Sequence, residues 1–255
     1  EREPMPVGAT VHRFERVPST NDEARALALA GAAHGTAVLA GEQTRGRGTK
    51  GRAWHSPPGL GLYASFVLRG PGGGPVPFPH LLPLAAGLAA SDAVLEASGL
   101  EAAVKWPNDL VVAGRKLGGI LSEAVTRAPG GDFAVVGVGL NVGHGPADFP
   151  AELRGAATSI RQAGGAPVTV EALFGVLCRA LDSWYNALAR GEKGRIVGAA
   201  EARSAFPPGR AVRVTTAEGS FTAVFRGLDP EGRLVVERGR AGPVALDSVL
   251  GLDGA

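Results

Sequence analysis

Two stretches of this chain hold residues that could do chemistry on an anion. The first is Gln43-Thr44-Arg45-Gly46-Arg47-Gly48-Thr49-Lys50-Gly51-Arg52-Ala53-Trp54, a glycine-rich loop with cations at Arg45, Arg47, Lys50 and Arg52. Glycines let a backbone come close to a ligand, and a dense row of cations calls for a phosphate or carboxylate. Taken alone, such a run also reads as a solvated basic surface. The second stretch tips the balance: Lys105-Trp106-Pro107-Asn108-Asp109, then Lys116-Leu117-Gly118-Gly119-Ile120-Leu121.

Two familiar nucleotide motifs are excluded by context. Gly46, Gly48 and Gly51 fit G-x-G-x-x-G, and Thr36 to Ala40 supplies a preceding strand. A dinucleotide fingerprint needs a helix to open directly afterwards. Here Ser56-Pro57-Pro58-Gly59 follows, which does not propagate a helix. A P-loop would place Lys-Ser/Thr after the second glycine, and Arg52-Ala53 stands there instead. Lysine usage adds weight. The chain has 22 arginines and four lysines, and Lys50, Lys105 and Lys116 all lie in the two suspect stretches. A lysine kept in an arginine-using chain suggests a need for a compact point charge rather than a planar fork, with chance as the competing explanation.

The remaining polar candidates lie at element ends. Ser19-Thr20-Asn21 opens a helix; capping by Thr20, with Glu23 completing a capping box, can coexist with ligand contact. Trp106 reads either as a ligand wall or as core packing. Asn108 offers donors and acceptors, and Asp109 can help hold magnesium or orient a ribose. Gly137-Val138-Gly139-Leu140-Asn141 puts two glycines inside a buried strand, where glycine is costly unless something lies on it.

The elements that must carry these residues alternate between helix and strand. A helix continues from Thr20 over Ala24 to Ala33, strands follow at 36–41 and 62–68, and a long alanine-rich helix spans 81–97. A strand at 103–106 leads to a hairpin over 110–116 that returns through 117–125, and 133–140 is a buried central strand. Residues 143–157, rich in Gly and Pro, read as a mobile loop. Helices are expected at 170–188 and 195–204. After Phe206-Pro207-Pro208-Gly209 the texture changes to short strands at 211–215, 221–228, 233–237 and 243–246, a small all-β barrel. The expected domains are therefore 1–206 and 207–255.

Composition bounds the class. Hydrophobic content of 45% and charged content of 20% describe an ordinary globular chain. A net charge of +2 is too small to imply bulk nucleic-acid binding, so no nucleic-acid partner is expected. The single cysteine, Cys178, excludes an intramolecular disulfide and sits in an apolar helical pattern. No stretch reads as roughly 20 apolar residues, and Glu1-Arg2-Glu3-Pro4 lacks the basic start of a signal peptide, so no membrane association and a cytoplasmic location are expected.

With these residues assembled, the chain resembles the biotin protein ligases. The family's Ser-Thr-Asn, Gly-Arg-Gly-Arg-x-Gly-Arg-x-Trp, Lys-Trp-Pro-Asn-Asp, Arg-Lys-Leu-x-Gly-Ile-Leu and Gly-x-Gly-x-Asn motifs occur in order. They stand at Ser19 to Asn21, Gly46 to Trp54, Lys105 to Asp109, Arg115 to Leu121 and Gly137 to Asn141. The resemblance implies an α+β fold: a class II aminoacyl-tRNA-synthetase-like catalytic domain, a mixed sheet flanked by helices, followed by an SH3-like barrel. It implies a form without the N-terminal DNA-binding domain of bifunctional relatives, since the motifs begin by residue 19. The implied reaction joins biotin to ATP, with Mg2+, as biotinyl-5'-AMP and then transfers the biotinyl group to a lysine of a biotin carboxyl carrier domain of an acyl-CoA or pyruvate carboxylase.

By the same resemblance Lys116 and Arg47 are the catalytic cations. Biotin would meet Ser19, Thr20, Asn21, Gln43, Gly46, Arg47, Gly48, Thr49, Lys116, Gly118, Gly119, Gly137 and Gly139, its valeryl chain lying along the last four glycines. Arg52, Trp54, Lys105, Asn108 and Asn141 would serve ATP, with Asp109 near the magnesium. One departure stands out: Thr49 replaces the arginine common at the fourth loop position, although Lys50 follows. Lipoate ligation on the same fold, octanoyl transfer and a non-catalytic DNA-binding regulator are the alternatives. The second would need a motif cysteine and the third a DNA-reading module.

Overall fold

The computed structural model describes residues 5–126, 128, 131–239 and 242–255. The Glu1-to-Pro4 stretch read above for a leader lies outside the described residues. The strands are β1 (Val11–Val17), β2 (Ala37–Gln43), β3 (Gly61–Leu68), β4 (Ala103–Lys105), β5 (Asp109–Val112), β6 (Arg115–Val125), β7 (Phe133–Asn141), β8 (Ala211–Thr216), β9 (Gly219–Leu228), β10 (Leu234–Glu237), β11 (Pro243–Leu246) and β12 (Gly251–Gly254). The helices are α1 (Thr20–Leu29), α2 (Leu82–Ser98), α3 (Val170–Ala189) and α4 (Lys193–Ala202).

β1 to β7 form one mixed sheet in the order β1-β2-β3-β7-β6-β5-β4, parallel between β1 and β2 and antiparallel elsewhere. Strand alternation divides its residues between two faces. Val136, Val138 and Leu140 of β7, with Leu62, Ala64 and Phe66 of β3, pack toward α2 and α3. Phe133 and Val135, with Val67 of β3, pack under Ala24 and Ala28 of α1. On that α1 face the large side chains of β7 then give way to Gly137 and Gly139. The loss of side-chain volume along one strand opens the cleft described below.

Residues 79–98 contradict the expectation that no stretch reaches membrane length. They form a helical stretch of 20 residues holding an 18-residue window of mean hydropathy 1.3, 72% of that window buried inside the molecule. Its apolar surface is covered by α3 and the sheet, so it is a core helix. β1 escaped the sequence reading because Val11-His12-Arg13-Phe14-Glu15-Arg16-Val17 is a largely exposed edge strand with no buried face to impose alternation. α1 is shorter than expected, ending at Leu29.

The C-terminal strands form a five-stranded antiparallel sheet in the order β11-β10-β9-β8-β12. The short β12, which holds one buried apolar residue, Leu252, was not anticipated. β11 and β12 are the ends of this order and do not pair with each other among the described residues. Val212, Phe225, Leu234 and Val236 share one continuous apolar core with α2, α3 and α4. Polar ties reinforce the junction: Trp106 Nε1 donates to Gly232 O (2.9 Å), and Lys105 Nζ lies 2.6 Å from Asp253 Oδ1.

Candidate active site

The α1 face carries a cleft of ≈ 220 Å³ into which separate chain segments converge. Its closed polar end is built from the start of α1. Thr20 donates from its backbone N (2.8 Å) and its hydroxyl (3.0 Å) to Gln43 Oε1 at the end of β2. Gln43 Nε2 donates to Ser56 Oγ (2.9 Å), and Ser65 Oγ, buried on β3, reaches Thr20 Oγ1 (2.8 Å) and Asn21 Oδ1 (2.6 Å). This network replaces the expected capping box. Ser19 is the N-cap residue without a side-chain cap bond, and Thr20 already lies inside the helix, its hydroxyl spent across the sheet. Ser19, Thr20 and Asn21 are all buried. A buried hydrogen-bonded network fixes side chains in one arrangement, as a specific polar pocket requires.

The glycines of β7 are explained by what lies on them. A Cβ at Gly137 would collide with Asn21 Oδ1, and one at Gly139 would come within 2.6 Å of Trp54 Nε1. Gly119, opposite Gly139 on β6, faces Lys116 and the Trp54 ring. Gly118 points the other way: its Cβ would meet Leu140 Cδ2 at 2.5 Å, so it packs into the core and does not line the cleft. Asn21 and Trp54 thus occupy much of the platform that the sequence reading reserved for an aliphatic chain. The Trp54 indole N–H is buried and makes no hydrogen bond among the described residues.

The two cations singled out from sequence line the same cleft, and each rests on carboxylates of the chain itself. Lys116 Nζ lies 2.6 Å from Asp109 Oδ1 and 5.3 Å from the centre of the Trp54 ring. Arg47 makes a fork with Glu123, Nη1 to Oε1 (3.1 Å) and Nη2 to Oε2 (3.0 Å), while Nη2 also reaches Asp22 Oδ1 (2.8 Å). Burial works against the Arg47 charge, but Glu123 and then Asp22 outweigh it and hold its pKa above the usual arginine value. Burial likewise opposes the Glu123 charge, and hydrogen bonds from Asn21 and Arg47 overcome it, keeping this carboxyl below the usual range.

The rest of the rim divides cleanly. Gly48, Thr49, Arg52, Asn108 and Asn141 line the cleft. Asn108 Nδ2 donates to Ile120 O (2.8 Å), and Asn141 Nδ2 donates to Thr158 O (2.9 Å). Gly46 stands behind the loop, pressed on Trp54 O and Ser56, and Lys105 and Trp106 face the C-terminal sheet rather than the cleft. The 143–157 segment, read from sequence as a mobile loop, contributes Phe149, Leu153, Ala156 and Ala157 to the cleft. It is built on short 3-10 turns at 146–148 and 151–153, and Lys116 N donates to Ala156 O (2.8 Å) while Thr158 N donates to Lys116 O (2.9 Å). Beneath Phe149, His144 is fully buried with ring centroids 4.7 Å apart; burial, then the nearby His55 charge, push its pKa down to about 4.

Sequence reasoning missed Glu123, Asp22, Ser65 and Phe149. Glu123 had a signal, since it follows Leu121 by two and so shares its strand face. Ser65, a lone polar residue inside the apolar run of β3, had another. Phe149 had none, because its approach depends on how the 143–157 segment folds back. Asp109, which the sequence reading set near the magnesium, lies 2.6 Å from Lys116 Nζ. Among the described residues no three His, Cys, Asp or Glu side chains gather to hold a metal.

The glycine loop and the lysine strand of this mixed sheet converge on one cleft, and comparison with known proteins gives the family. The Biotin/lipoate A/B protein ligase family matches residues 13–141, and the biotin protein ligase C-terminal domain matches residues 209–240. The biotin–[acetyl-CoA-carboxylase] ligase of Paracoccus denitrificans is 38% identical over 233 residues, covering 89% of this chain and 93% of that protein. The bifunctional ligase/repressor BirA of Bacillus subtilis is 34% identical, and the match covers 86% of this chain and 66% of that protein, so the chain spans about two thirds of that relative's length. The biotin protein ligase of Aquifex aeolicus, solved in complex with biotin and ATP, superimposes with a TM-score of 0.81 at 26% identity, covering 97% of this chain and all of that one. The chain belongs to the biotin/lipoate A/B protein ligase family, among the biotin protein ligases, which are ATP-dependent enzymes.

Proposed function

We propose that this chain joins biotin to ATP, giving biotinyl-5'-AMP and pyrophosphate, and then passes the biotinyl group to a lysine of a biotin carboxyl carrier domain, releasing AMP. The observation that carries this reading is the convergence of a fixed polar pocket at Thr20, Gln43 and Asn21 with two cations, Lys116 and Arg47, on one cleft. The polar pocket suits the ureido end of biotin, which has both donors and acceptors. The carboxylate would then point toward Lys116. As it attacks the α-phosphate, negative charge grows on the phosphoryl oxygens, and a fixed cation there lowers the barrier without reorganisation cost. No covalent enzyme intermediate is required; positioning and charge suffice.

Arg47 and the backbone at Gly48 and Thr49 would close over the acyl phosphate. Trp54, Arg52, Asn108 and Asn141 would frame the nucleotide, the indole turning from the glycine platform toward it. Lys105 would serve the nucleotide only by leaving Asp253. Magnesium enters as part of MgATP. A single carboxylate with phosphate oxygens is an ordinary donor set for Mg2+, so Asp109 fits that role once the substrate phosphates draw Lys116 away.

The finer labels belong to the same reading: a class II aminoacyl-tRNA-synthetase-like catalytic domain over 1–206, an SH3-like domain over 207–255, and a cytoplasmic site of action beside the carriers of acyl-CoA or pyruvate carboxylases. Names such as biotin–[acetyl-CoA-carboxylase] ligase among the relatives support the carrier partner. Lipoate is the second substrate to weigh, because the family profile spans both activities. The test is the intact mass of a carrier domain after incubation with the protein, MgATP and either biotin or lipoate. Addition of one biotinyl group and no lipoyl group is expected; lipoyl addition alone would overturn the reading.

A further inference from the structure

Glu123 belongs to none of the sequence motifs, yet it joins two parts of the cleft that the chain brings from different segments. It lies on the α1 face of β6, opposite Val135 of β7. Its Oε2 accepts from Asn21 Nδ2 (2.8 Å) at the start of α1 and from Arg47 Nη2 (3.0 Å), and its Oε1 accepts from Arg47 Nη1 (3.1 Å). A two-pronged guanidinium–carboxylate pair is among the stronger and more directional polar contacts. Here it fixes Arg47, one of two arginines of the glycine loop that line the cleft, and Asp22 at 2.8 Å completes the clamp. The Glu123 side chain is 27% exposed and that of Arg47 39%, so the pair is screened enough to exchange partners yet buried enough to matter.

The Arg47 fork is therefore already satisfied before any ligand arrives. An incoming carboxylate must share this cation with Glu123 and Asp22 or displace one of them, so part of what it gains from Arg47 is offset. A neutral ligand faces no such competition. We propose that Glu123 is a positioning residue that stores Arg47 and thereby sets how strongly the cleft prefers an ionised acid over its uncharged analogue. The proposal rests on the reading that Arg47 meets the ligand anion.

Glu123→Gln separates the two jobs of this carboxylate. Its carbonyl can still accept from Asn21, but the charge holding Arg47 is gone and an amide N–H faces the guanidinium. The experiment is calorimetric titration of the full chain with biotin and with the alcohol in which CH2OH replaces the carboxylate. The proteins are wild type, Glu123→Gln, Arg47→Met and the double variant, each with a thermal melt. Glu123→Gln is expected to raise the acid-to-alcohol affinity ratio by about fivefold, chiefly by tightening the acid, the scale of one partly exposed ion pair. Arg47→Met is expected to lower that ratio and to abolish the gain in the double variant. An unchanged or lower ratio in Glu123→Gln, with Arg47→Met still weakening the acid, overturns the storage role and leaves the role of Arg47 standing. No effect of Arg47→Met on the acid in either background overturns both. A purely structural role would weaken both ligands alike and lower the melting temperature without moving the ratio.

Discussion

Replacing Lys116 with methionine isolates a charge at the proposed reacting centre. Methionine keeps most of the aliphatic stem, whose end lies against Gly119, so packing is largely preserved. Two effects are then expected, and their sizes differ. The first is on stability. Asp109, 19% exposed, loses a partner 2.6 Å away. A partly screened pair of this kind is worth about 1 kcal/mol, with a further penalty for leaving a poorly solvated carboxylate alone. The second is on chemistry. Removing one fixed donor or charge from a developing oxyanion costs on the order of a hundredfold, or about 2.7 kcal/mol at 1.36 kcal/mol per decade. Catalysis should therefore suffer far more than folding. The assay is pyrophosphate release with saturating biotin and MgATP, alongside a denaturant melt. The double variant Lys116→Met/Asp109→Asn recovers the stability lost to the orphaned carboxylate but not the rate. Pyrophosphate release within tenfold of wild type would refute the assignment of Lys116. Recovery of rate in the double variant would show instead that the unpaired Asp109 charge was the cause.

Thr49 engages Arg52 Nη2 only at 3.4 Å, and Lys50 sits in a left-handed conformation (φ 60°) within the field of Asp109. With a neutral side chain at position 49, Thr49→Arg is expected to slow dissociation of biotinyl-5'-AMP about tenfold, the scale of one charge-assisted contact. Single-turnover release from the two proteins checks this, and equal off-rates would mean that the loop is already held shut. His144, with its pKa lowered to about 4 from 6.5, stays neutral in the fold while the unfolded chain protonates. Its contribution to stability is complete above pH 6.5 and is lost as pH falls through about 4. Denaturant melts of His144→Leu should be flatter across that window than those of wild type, and parallel profiles would count against the assignment. Gly137→Ala drives a methyl group onto Asn21 Oδ1. It should cost about 1–3 kcal/mol in stability and weaken biotin binding by calorimetry, whereas unchanged affinity would mean that Asn21 can move without consequence.

Much of this molecule was legible in its residues because the signals were local. The buried strands β3 and β7 announce themselves as apolar runs, and the glycines of the loop mark a backbone that must approach something closely. Lys116, Arg47 and Asn141 could be nominated because each residue type, at its place beside a turn or strand end, suits an anion or a polar ligand, whereas Gln43 came only from the family resemblance. The all-β character of the segment after Pro207-Pro208-Gly209 was readable as a change of texture. What the residues could not show depends on pairings over long separations. Glu123 meets Asn21 across 102 positions, and Lys105 meets Asp253 across 148. Such contacts arise only when the sheet order β3-β7-β6-β5-β4 brings distant strands side by side. The same order decided that Gly118 faces the core while Gly119 faces the cleft, that Trp54 lies on Gly139, and that Thr20 bonds Gln43 instead of capping its helix. Residue types and spacing determined which groups could do chemistry here. The tertiary structure alone decided which carboxylate holds which cation, because ion pairs form between whichever charges the sheet leaves within a few ångströms.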